Sequence, residues 1–398
     1  MNRRWITVIN LSVVSAFVFL GLNVVSPILP QYAMTFNVPV ALTGWVVSSF
    51  ALARVITDLP AGITGDKYGA KRVMITGLVI VTFSSVIAGL APSYLVLIVA
   101  RLAGGMGSAL YITCAWSWLA QVSEGQSRGK MMGTYSSMLF IGVAAGPAIG
   151  GFAAAYFGIQ APFYIYALLT IVGILATIPL SESIHGKDAL TTRYNTGHRR
   201  ANVATLLSNR SFMIVSFSFF ALFFLRSSVR STLLPLYASI NLGLGEDQIG
   251  LLMTVALVGT GLLSFPSGWI SDKVGRKTPA MLCVLSSALL ILLIPFQQNL
   301  QDLATLMIFI GAVSGLQGSM SAWPADIVTL DKLGTAIGLY RLIADLGIFL
   351  GPIAVTYAND WFNPNLITPQ PFLLPATIAI IAGIALTKAA DPSRGRLQ

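Results

Sequence analysis

The chain has 398 residues, of which 55% are hydrophobic and only 10% are charged, and its formal net charge is +10. Soluble proteins carry about 25% charged residues, and long consecutive apolar stretches leave no polar faces for water, so a water-soluble fold is excluded. The basic residues concentrate between the apolar stretches, so we do not interpret the positive charge as a nucleic-acid-binding surface.

Twelve apolar segments are long enough to cross a bilayer, because a spanning helix needs ~20 mostly apolar residues. The first run is about twice as long as the core of a signal peptide and lacks a small-residue cleavage site, so we predict that it is retained. The predicted spans cover residues 5–34, 40–64, 73–91, 94–120, 130–155, 161–180, 211–236, 247–270, 278–297, 303–329, 335–358 and 370–388.

The distribution of positive charge predicts the orientation. With the N-terminus in the cytoplasm, 19 of the 24 Lys and Arg residues fall in inside segments and none in outside loops. Since cytoplasmic loops are rich in Lys and Arg, we predict a multi-pass protein of the inner or plasma membrane with both termini in the cytoplasm. The five remaining basic residues lie inside spans: Arg54, Arg101, Arg226, Arg230 and Arg341.

The longest polar stretch, residues 181–210, divides the chain into residues 1–180 and 211–398. We predict that it is a cytoplasmic linker, and its His185 and His198 are poor candidates for carrying protons because they lie outside the membrane. Cys114 and Cys283 fall in different halves, which favours buried thiols over a disulfide, and no metal-ligand spacing is present.

A charged, glycine-framed turn occurs twice, 206 residues apart, each time between two predicted spans. We expect its first glycine to permit close helix approach, and its aspartate to accept hydrogen bonds from a helix N-terminus, where the dipole favours an anion. The two copies contain Gly62, Asp66, Lys67, Gly69 and Arg72, and Gly268, Asp272, Lys273, Gly275 and Arg276.

A second cassette repeats 205 residues apart, in predicted spans 5 and 11. Its prolines follow glycines, which is typical of a hinge or of a close-packing site. The two copies contain Gly142, Gly146 and Pro147, and Gly347, Gly351 and Pro352. Together the repeats predict an all-α membrane protein with two pseudo-symmetric six-helix lobes, which is the layout of a carrier.

The turn in both halves and the span 5 cassette resemble the major facilitator superfamily, and the cassette resembles its drug:proton antiporter branch. Arg101-Leu-Ala-Gly104-Gly105-Met-Gly107 is similar to that branch's Arg-x-x-Gln-Gly-x-Gly pattern. Three departures are the replacement of Gln by Gly104, Ala70 where the first turn usually has Arg, and the absence of a carboxylate from span 1. The resemblance implies that the two lobes surround a central cavity, and that transport occurs by alternating access with the substrate near the bilayer midplane.

Charged residues inside spans 2 and 11 are candidates for a gate. Asp58 and Arg341 each lie six residues from the cytoplasmic end of their span, and Arg54 and Asp345 each lie ten. Since spans 2 and 11 face each other in the family fold, the resemblance implies the pairs Asp58–Arg341 and Arg54–Asp345. The alternative is that each helix pairs its own charges, four residues apart. Asp58 and Asp345 are also the best candidates for carrying protons.

Arg101, Arg226 and Arg230 have no acid at their depth, and we expect them to bind substrate together with Asn23, Tyr111 and Trp323. The guanidinium group grips carboxylates and phosphates bidentately. Alternatively, Arg101 bonds backbone carbonyls or serves a proton path, Arg226 and Arg230 reach toward the outer surface, and the aromatic residues are packing.

We therefore predict a proton-coupled exporter of small amphipathic molecules or drugs. The runner-up is a carrier of a small organic anion or phosphorylated metabolite, and a non-transporting membrane sensor is third. An enzyme is not predicted, since no nucleophile–base set, phosphate loop or metal cluster occurs. The expected partners are a small-molecule substrate and the lipid bilayer, without nucleic acid; the expected coupling ion is a proton, with no other cofactor, and the expected state is a monomer.

Overall fold

A computed structural model of the protein describes residues 3–122, 128–179, 203–328 and 333–391. Within these ranges the chain forms helices and turns and contains no strand. The predicted linker, including His185 and His198, lies largely outside the described residues, and only its last part is seen, as the short helix Val203–Leu207.

The chain divides into two compact units, each of which we describe by itself. Unit 1 is residues 1–186 with 244–254, and unit 2 is residues 187–243 with 255–398. The first unit contains α1, which is built from Arg3–Val25, a 3-10 turn at Ser26–Ile28 and Leu29–Met34. It continues with α2 (Val40–Tyr68), α3 (Ala70–Gly89), α4 (Tyr94–Val122), α5 (Arg128–Phe157) and α6 (Ala161–Thr177).

Unit 2 begins with α7, which is built from Arg210–Ser228, a π-helical turn at Val229–Leu233 and Leu234–Ile240. The helices that follow are α8 (Glu246–Val274), α9 (Lys277–Ile291), α10 (Leu300–Gly315 and Gly318–Ile327), α11 (Leu333–Phe362) and α12 (Gln370–Leu386). The beginning of α8, up to Thr254, clusters with unit 1.

Ten of these segments are long and apolar enough to cross a membrane, and α6 and α12 are apolar helices of 17 residues. This architecture agrees with the prediction of a twelve-span helical membrane protein. Most helix ends lie within a few residues of the predicted ones, because the charged turns and Pro- or Gly-containing loops terminate the apolar runs.

The same packing plan occurs in both units. In unit 1, α1 packs against α5 and α6, and α3 packs against α4 and α6. In unit 2, α7 packs against α11 and α12, and α9 packs against α10 and α12. The core of unit 1 is aromatic where α1, α4 and α5 meet, with Tyr111, Trp118 and Tyr135 all buried.

Candidate functional site

Asp58 is anchored inside unit 1, where α2 packs against α4. Its Oδ1 accepts a hydrogen bond from Oγ1 of Thr113 at 3.2 Å. Arg54 lies one helical turn earlier in α2, and both side chains are half-buried. A carboxylate in a span is expensive to keep charged unless polar groups surround it, and the Thr113 hydroxyl is one such group.

Arg341 and Asp345 lie one turn apart in α11 of unit 2. The Arg341 side chain is exposed, whereas Asp345 is only 8% exposed. In the predicted pairs, Asp58 with Arg341 and Arg54 with Asp345, the two partners belong to different units. This pairing and the alternative, in which each helix pairs its own charges, both stay predictions.

Arg101 of α4 lies in the interior of unit 1. Its Nε donates to the carbonyl of Val46 in α2 at 3.2 Å, and its guanidinium carbon lies 4.4 Å from the centre of the Phe50 ring. A cation over an aromatic face is attracted by the ring quadrupole. This geometry agrees with the alternative that Arg101 bonds a backbone carbonyl, and its role in substrate binding stays a prediction.

Arg226 of α7 joins α7 to α10. Its Nη1 donates to the side-chain carbonyl of Gln317 and its Nη2 to the main-chain carbonyl of Ser314 at 3.1 Å. Gln317 lies in the break that separates the two segments of α10. Arg226 and Arg230 line one cavity inside unit 2, so the structure brings these two predicted site residues together.

The remaining predicted binding residues are packed within their own units. Asn23 donates to the carbonyl of Phe19 in its own helix at 2.8 Å. Tyr111 is fully buried, and its hydroxyl shares a hydrogen bond of 2.8 Å with that of Ser15 in α1. Trp323 is also fully buried, and its Nε1 has no acceptor among the described residues. The packing alternative describes Tyr111 and Trp323 in this structure, and a binding role stays a prediction.

The glycines of α5 are the points where α1 approaches most closely. A Cβ atom on Gly146 would lie 2.5 Å from Cβ of Asn23, and one on Gly142 would overlap the carbonyl of Ala16. Real Cβ atoms do not approach other atoms this closely, so a side chain at either position would push the helices apart. The helix continues through Pro147, the proline of the cassette.

The second copy of the cassette does the same in unit 2, where α11 meets α7. A Cβ on Gly347 would lie 2.6 Å from the Phe220 carbonyl, and one on Gly351 would lie 2.6 Å from the Ser227 hydroxyl. Ser227 in turn donates to the carbonyl of Gly347 at 3.3 Å. The repeated glycines therefore lie at equivalent helix contacts, α1–α5 and α7–α11, and whether they also act as hinges stays a prediction.

The two charged turns have the same backbone conformation. Gly69 and Gly275 have φ of +98° and +93°, and each donates its N–H to the carbonyl four residues earlier. A residue with a side chain rarely adopts positive φ, so both turns require glycine there. The side chain of Asp272 lies outside the described residues.

A lysine that follows each turn holds the end of a distant helix. Nζ of Lys71 donates to the carbonyl of Ile178 at 2.6 Å, just after α6. Lys277, 206 residues later, donates to the carbonyls of Thr387 and Ala389, just after α12. Cations stabilise helix C-termini because the carbonyls there lack intrahelical partners.

The two turns differ at the position between the glycine and this lysine. Arg276 forms an ion pair of 3.1 Å with Asp326 of α10 and also donates to the Ser271 hydroxyl at 3.0 Å. The corresponding residue of the first turn is Ala70, which has no charge. The unusual Ala70 therefore leaves the first turn without the ion pair that the second turn makes.

Sequence reasoning did not identify Gln317, Thr113 or the π-helical turn in α7. Gln317 could have been noticed as an amide between Gly315 and Gly318 in an apolar span, since glycine-flanked polar residues often mark helix breaks. The π turn has no comparable signal in the sequence.

Comparison with known proteins agrees with this architecture. The Major Facilitator Superfamily profile matches residues 11–245 and, a second time, 215–397. The chain is 25% identical over 378 residues to Multidrug resistance protein 2 of Bacillus subtilis, covering 93% of this chain and 91% of that protein. It is 24% identical to the Quinolone resistance protein NorA of Staphylococcus aureus, covering 93% and 94%.

Among solved structures, the nucleoside transporter NupG superposes with a TM-score of 0.80 at 16% identity, covering 98% of this chain and 99% of that one. This likeness shows the fold alone. The profile match covers nearly the whole chain, the helices of the described residues fall into two similarly packed units, and the two relatives align over more than nine-tenths of their own length. The chain therefore belongs to the Major Facilitator Superfamily of membrane transporters.

Proposed function

We propose that this transporter is a proton-coupled exporter of small amphipathic molecules that works by alternating access. The observation that carries the proposal is the alignment of two drug-resistance proteins over more than nine-tenths of their own length and of this chain. The span 5 cassette, which resembles that of drug:proton antiporters, supports the same class of transporter. We further propose a monomer in the inner or plasma membrane, with both termini in the cytoplasm as the basic residues favour.

Asp58 and Asp345 are the proposed proton carriers. A carboxylate inside a membrane protein is neutralised by protonation more cheaply than it is moved as an anion. Asp58 already accepts a hydrogen bond from Thr113, and Asp345 is almost fully buried. Protonation of either group would remove its attraction for a guanidinium, which would link proton binding to opening of the proposed pairs with Arg341 and Arg54.

A second candidate function is transport of a small organic anion. It is favoured by Arg226 and Arg230, which lie on one cavity wall with no acidic partner among the described residues. A carboxylate or phosphate on the substrate would then bind the guanidinium groups bidentately. An organic-anion carrier differs from the proposed exporter in that it would not transport lipophilic cations.

Export is tested by competition and by a charge swap. In vesicles containing the protein, several unrelated amphipathic compounds are expected to inhibit one another's transport. We expect Asp58→Asn and Arg341→Gln each to abolish transport, and the swap of Asp58→Arg with Arg341→Asp to restore part of it. Asp302→Asn, which removes an exposed acid at the start of α10, is the matched control and should transport normally.

Two results would contradict this proposal in different ways. A swap that is expressed normally but inactive would contradict the pairing of Asp58 with Arg341. Transport of organic anions alone, with no competition among unrelated amphipathic compounds, would contradict the exporter and favour the anion carrier.

A further inference from the structure

Unit 2 encloses a small cavity between α7, α8, α9 and α10. The free space inside it is about 20 Å³, which is enough for about one water-sized species. Most of the wall is aliphatic, and two arginines of α7 supply the charge. The aliphatic part includes Leu225, Val229, Ile291, Ile294, Met307 and Ile310.

The two arginines place positive charge on this wall, and no acidic residue in the described ranges pairs with it. The two terminal nitrogens of Arg226 donate hydrogen bonds to the side chain of Gln317 and to the carbonyl of Ser314, which are neutral acceptors. Its Nε is buried and has no acceptor among the described residues. Arg230 has neither a hydrogen-bond nor an ion-pair partner in the described part of the chain. Burying a charge without a counter-charge is costly, and a bound anion would offset that cost.

The backbone beside the cavity is irregular at the same place. Residues Val229–Leu233 form a π-helical turn that contains Arg230, and the Thr232 hydroxyl donates to the Ser227 carbonyl five residues earlier at 3.0 Å. Single π turns inside α-helices are rare and occur frequently at functional sites. Two independent features, unbalanced charge and a local π turn, therefore coincide on one cavity wall.

We propose that this cavity binds one monovalent inorganic anion of the size of chloride, beside Arg226 and Arg230. The cavity has room for about one water-sized species, which is too little for a drug-sized organic molecule. Its aliphatic wall offers no replacement for the water shell of a strongly hydrated dianion such as sulfate. Weakly hydrated monovalent anions, such as chloride, bromide and nitrate, fit both the size and the lining.

This anion site goes beyond the proposed exporter and is separate from its substrate, and it is an alternative to the organic-anion role that the second candidate function gives to Arg226 and Arg230. Binding is measured on purified protein without any transport, so the anion site can fail while export stands, and the reverse also holds.

The test compares chloride with gluconate, a larger organic anion, on purified full-length protein in detergent. The sodium concentration and ionic strength stay constant while chloride replaces gluconate. We expect the melting temperature to rise saturably with chloride, because a ligand that binds only the folded state stabilises it by mass action. Bromide and nitrate should also give a saturable rise, whereas sulfate, which stabilises folded proteins in general by exclusion from their surface, should give only a rise that does not saturate. The line width of the chloride NMR signal gives a direct measure of binding.

Arg230→Gln is the decisive variant, because Arg230 makes no hydrogen bond or ion pair within the described residues and its loss breaks no such contact. We expect it to weaken chloride binding roughly tenfold or more, since it removes a charged hydrogen-bond donor. Arg226→Gln should have the same effect if it folds, and Arg230→Gln decides the matter if it does not. Arg210→Gln makes the same substitution at an exposed position of the same helix and should bind chloride normally.

Three results would overturn the proposal. The first is an equal melting temperature of the wild-type protein in chloride and gluconate. The second is a chloride response of wild-type size in Arg230→Gln. The third is an equal loss of the response in Arg210→Gln, which would show a general effect of charge and not a site.

Discussion

The repeated glycines of α5 and α11 allow the helix packing of each unit to be measured separately. Gly146→Ala would place Cβ 2.5 Å from Cβ of Asn23 and 2.9 Å from the carbonyl of Leu20. Carbon atoms pack at about 3.5–4.0 Å, so α1 and α5 would have to separate by about 1 Å. Overpacking of this kind costs about 1–3 kcal/mol.

Gly133→Ala is the matched control in the same helix, because a Cβ on Gly133 meets no atom of the described residues within 4 Å. Both substitutions remove a glycine from a helix, which favours folding by about 1 kcal/mol. That gain is common to the two variants. The difference between their free energies of unfolding, about 1–3 kcal/mol, therefore measures the cost of overpacking alone. In unit 2, Gly351→Ala and Gly338→Ala form the equivalent pair, since a Cβ on Gly338 would also meet nothing within 4 Å in the described part of the chain.

The chain provides its own reporters for this experiment. Cys114 in unit 1 and Cys283 in unit 2 are both buried free thiols, so a thiol-reactive dye labels them only when their unit opens. With Cys283→Ala as background, Gly146→Ala should lower the midpoint temperature for labelling of Cys114, and Gly133→Ala should not.

In the Cys114→Ala background, Gly351→Ala should lower the midpoint temperature for labelling of Cys283, and Gly338→Ala should not. Equal midpoints for Gly146→Ala and Gly133→Ala would refute the conclusion that Gly146 is required for close approach of α1. If Gly146→Ala has a normal midpoint but transports poorly, the glycine is needed as a hinge instead.

Three further predictions concern contacts within single units. Arg276→Gln and Asp326→Asn should each destabilise unit 2, and a double-mutant cycle should give a coupling of about 0.5–3 kcal/mol; additive effects would contradict the ion pair. Lys71→Met should cost about 0.3–1 kcal/mol and speed hydrogen exchange at the end of α6, whereas unchanged exchange there would contradict its contact with the Ile178 carbonyl. Tyr111→Phe should lower the melting temperature by leaving the Ser15 hydroxyl without a partner, at about 1–3 kcal/mol, and adding Ser15→Ala should cost less than the sum of the two single changes.

The sequence determined the number and ends of the spans because those features are local. The length of an apolar run can be read directly from the sequence. The charged turns contain Gly69 and Gly275, where positive φ requires glycine. The repeat also predicted that both units would share one packing plan, since equivalent glycines meet equivalent neighbours.

The site could be predicted only in part, because spans that are apolar on every side do not reveal which face meets which neighbour. Tyr111 and Trp323 are predicted to bind substrate, and the structure shows that both are fully buried in their own unit, so a binding role for them stays a prediction. Arg226 was identified as a charge in a span, but its acceptors lie about 90 residues away, on α10. Such partners follow from the packing of helices, which no local pattern encodes.

Substrate-triggered proton movement tests the proposed function most directly. The protein is reconstituted into liposomes with a pH-sensitive dye inside, and lipophilic cations and organic anions are added as separate panels. We predict proton flux with several unrelated amphipathic compounds, loss of that flux in Asp345→Asn, and normal flux in the exposed control Asp302→Asn. Flux with organic anions alone, or no proton response to either panel, would contradict a proton-coupled exporter of amphipathic molecules.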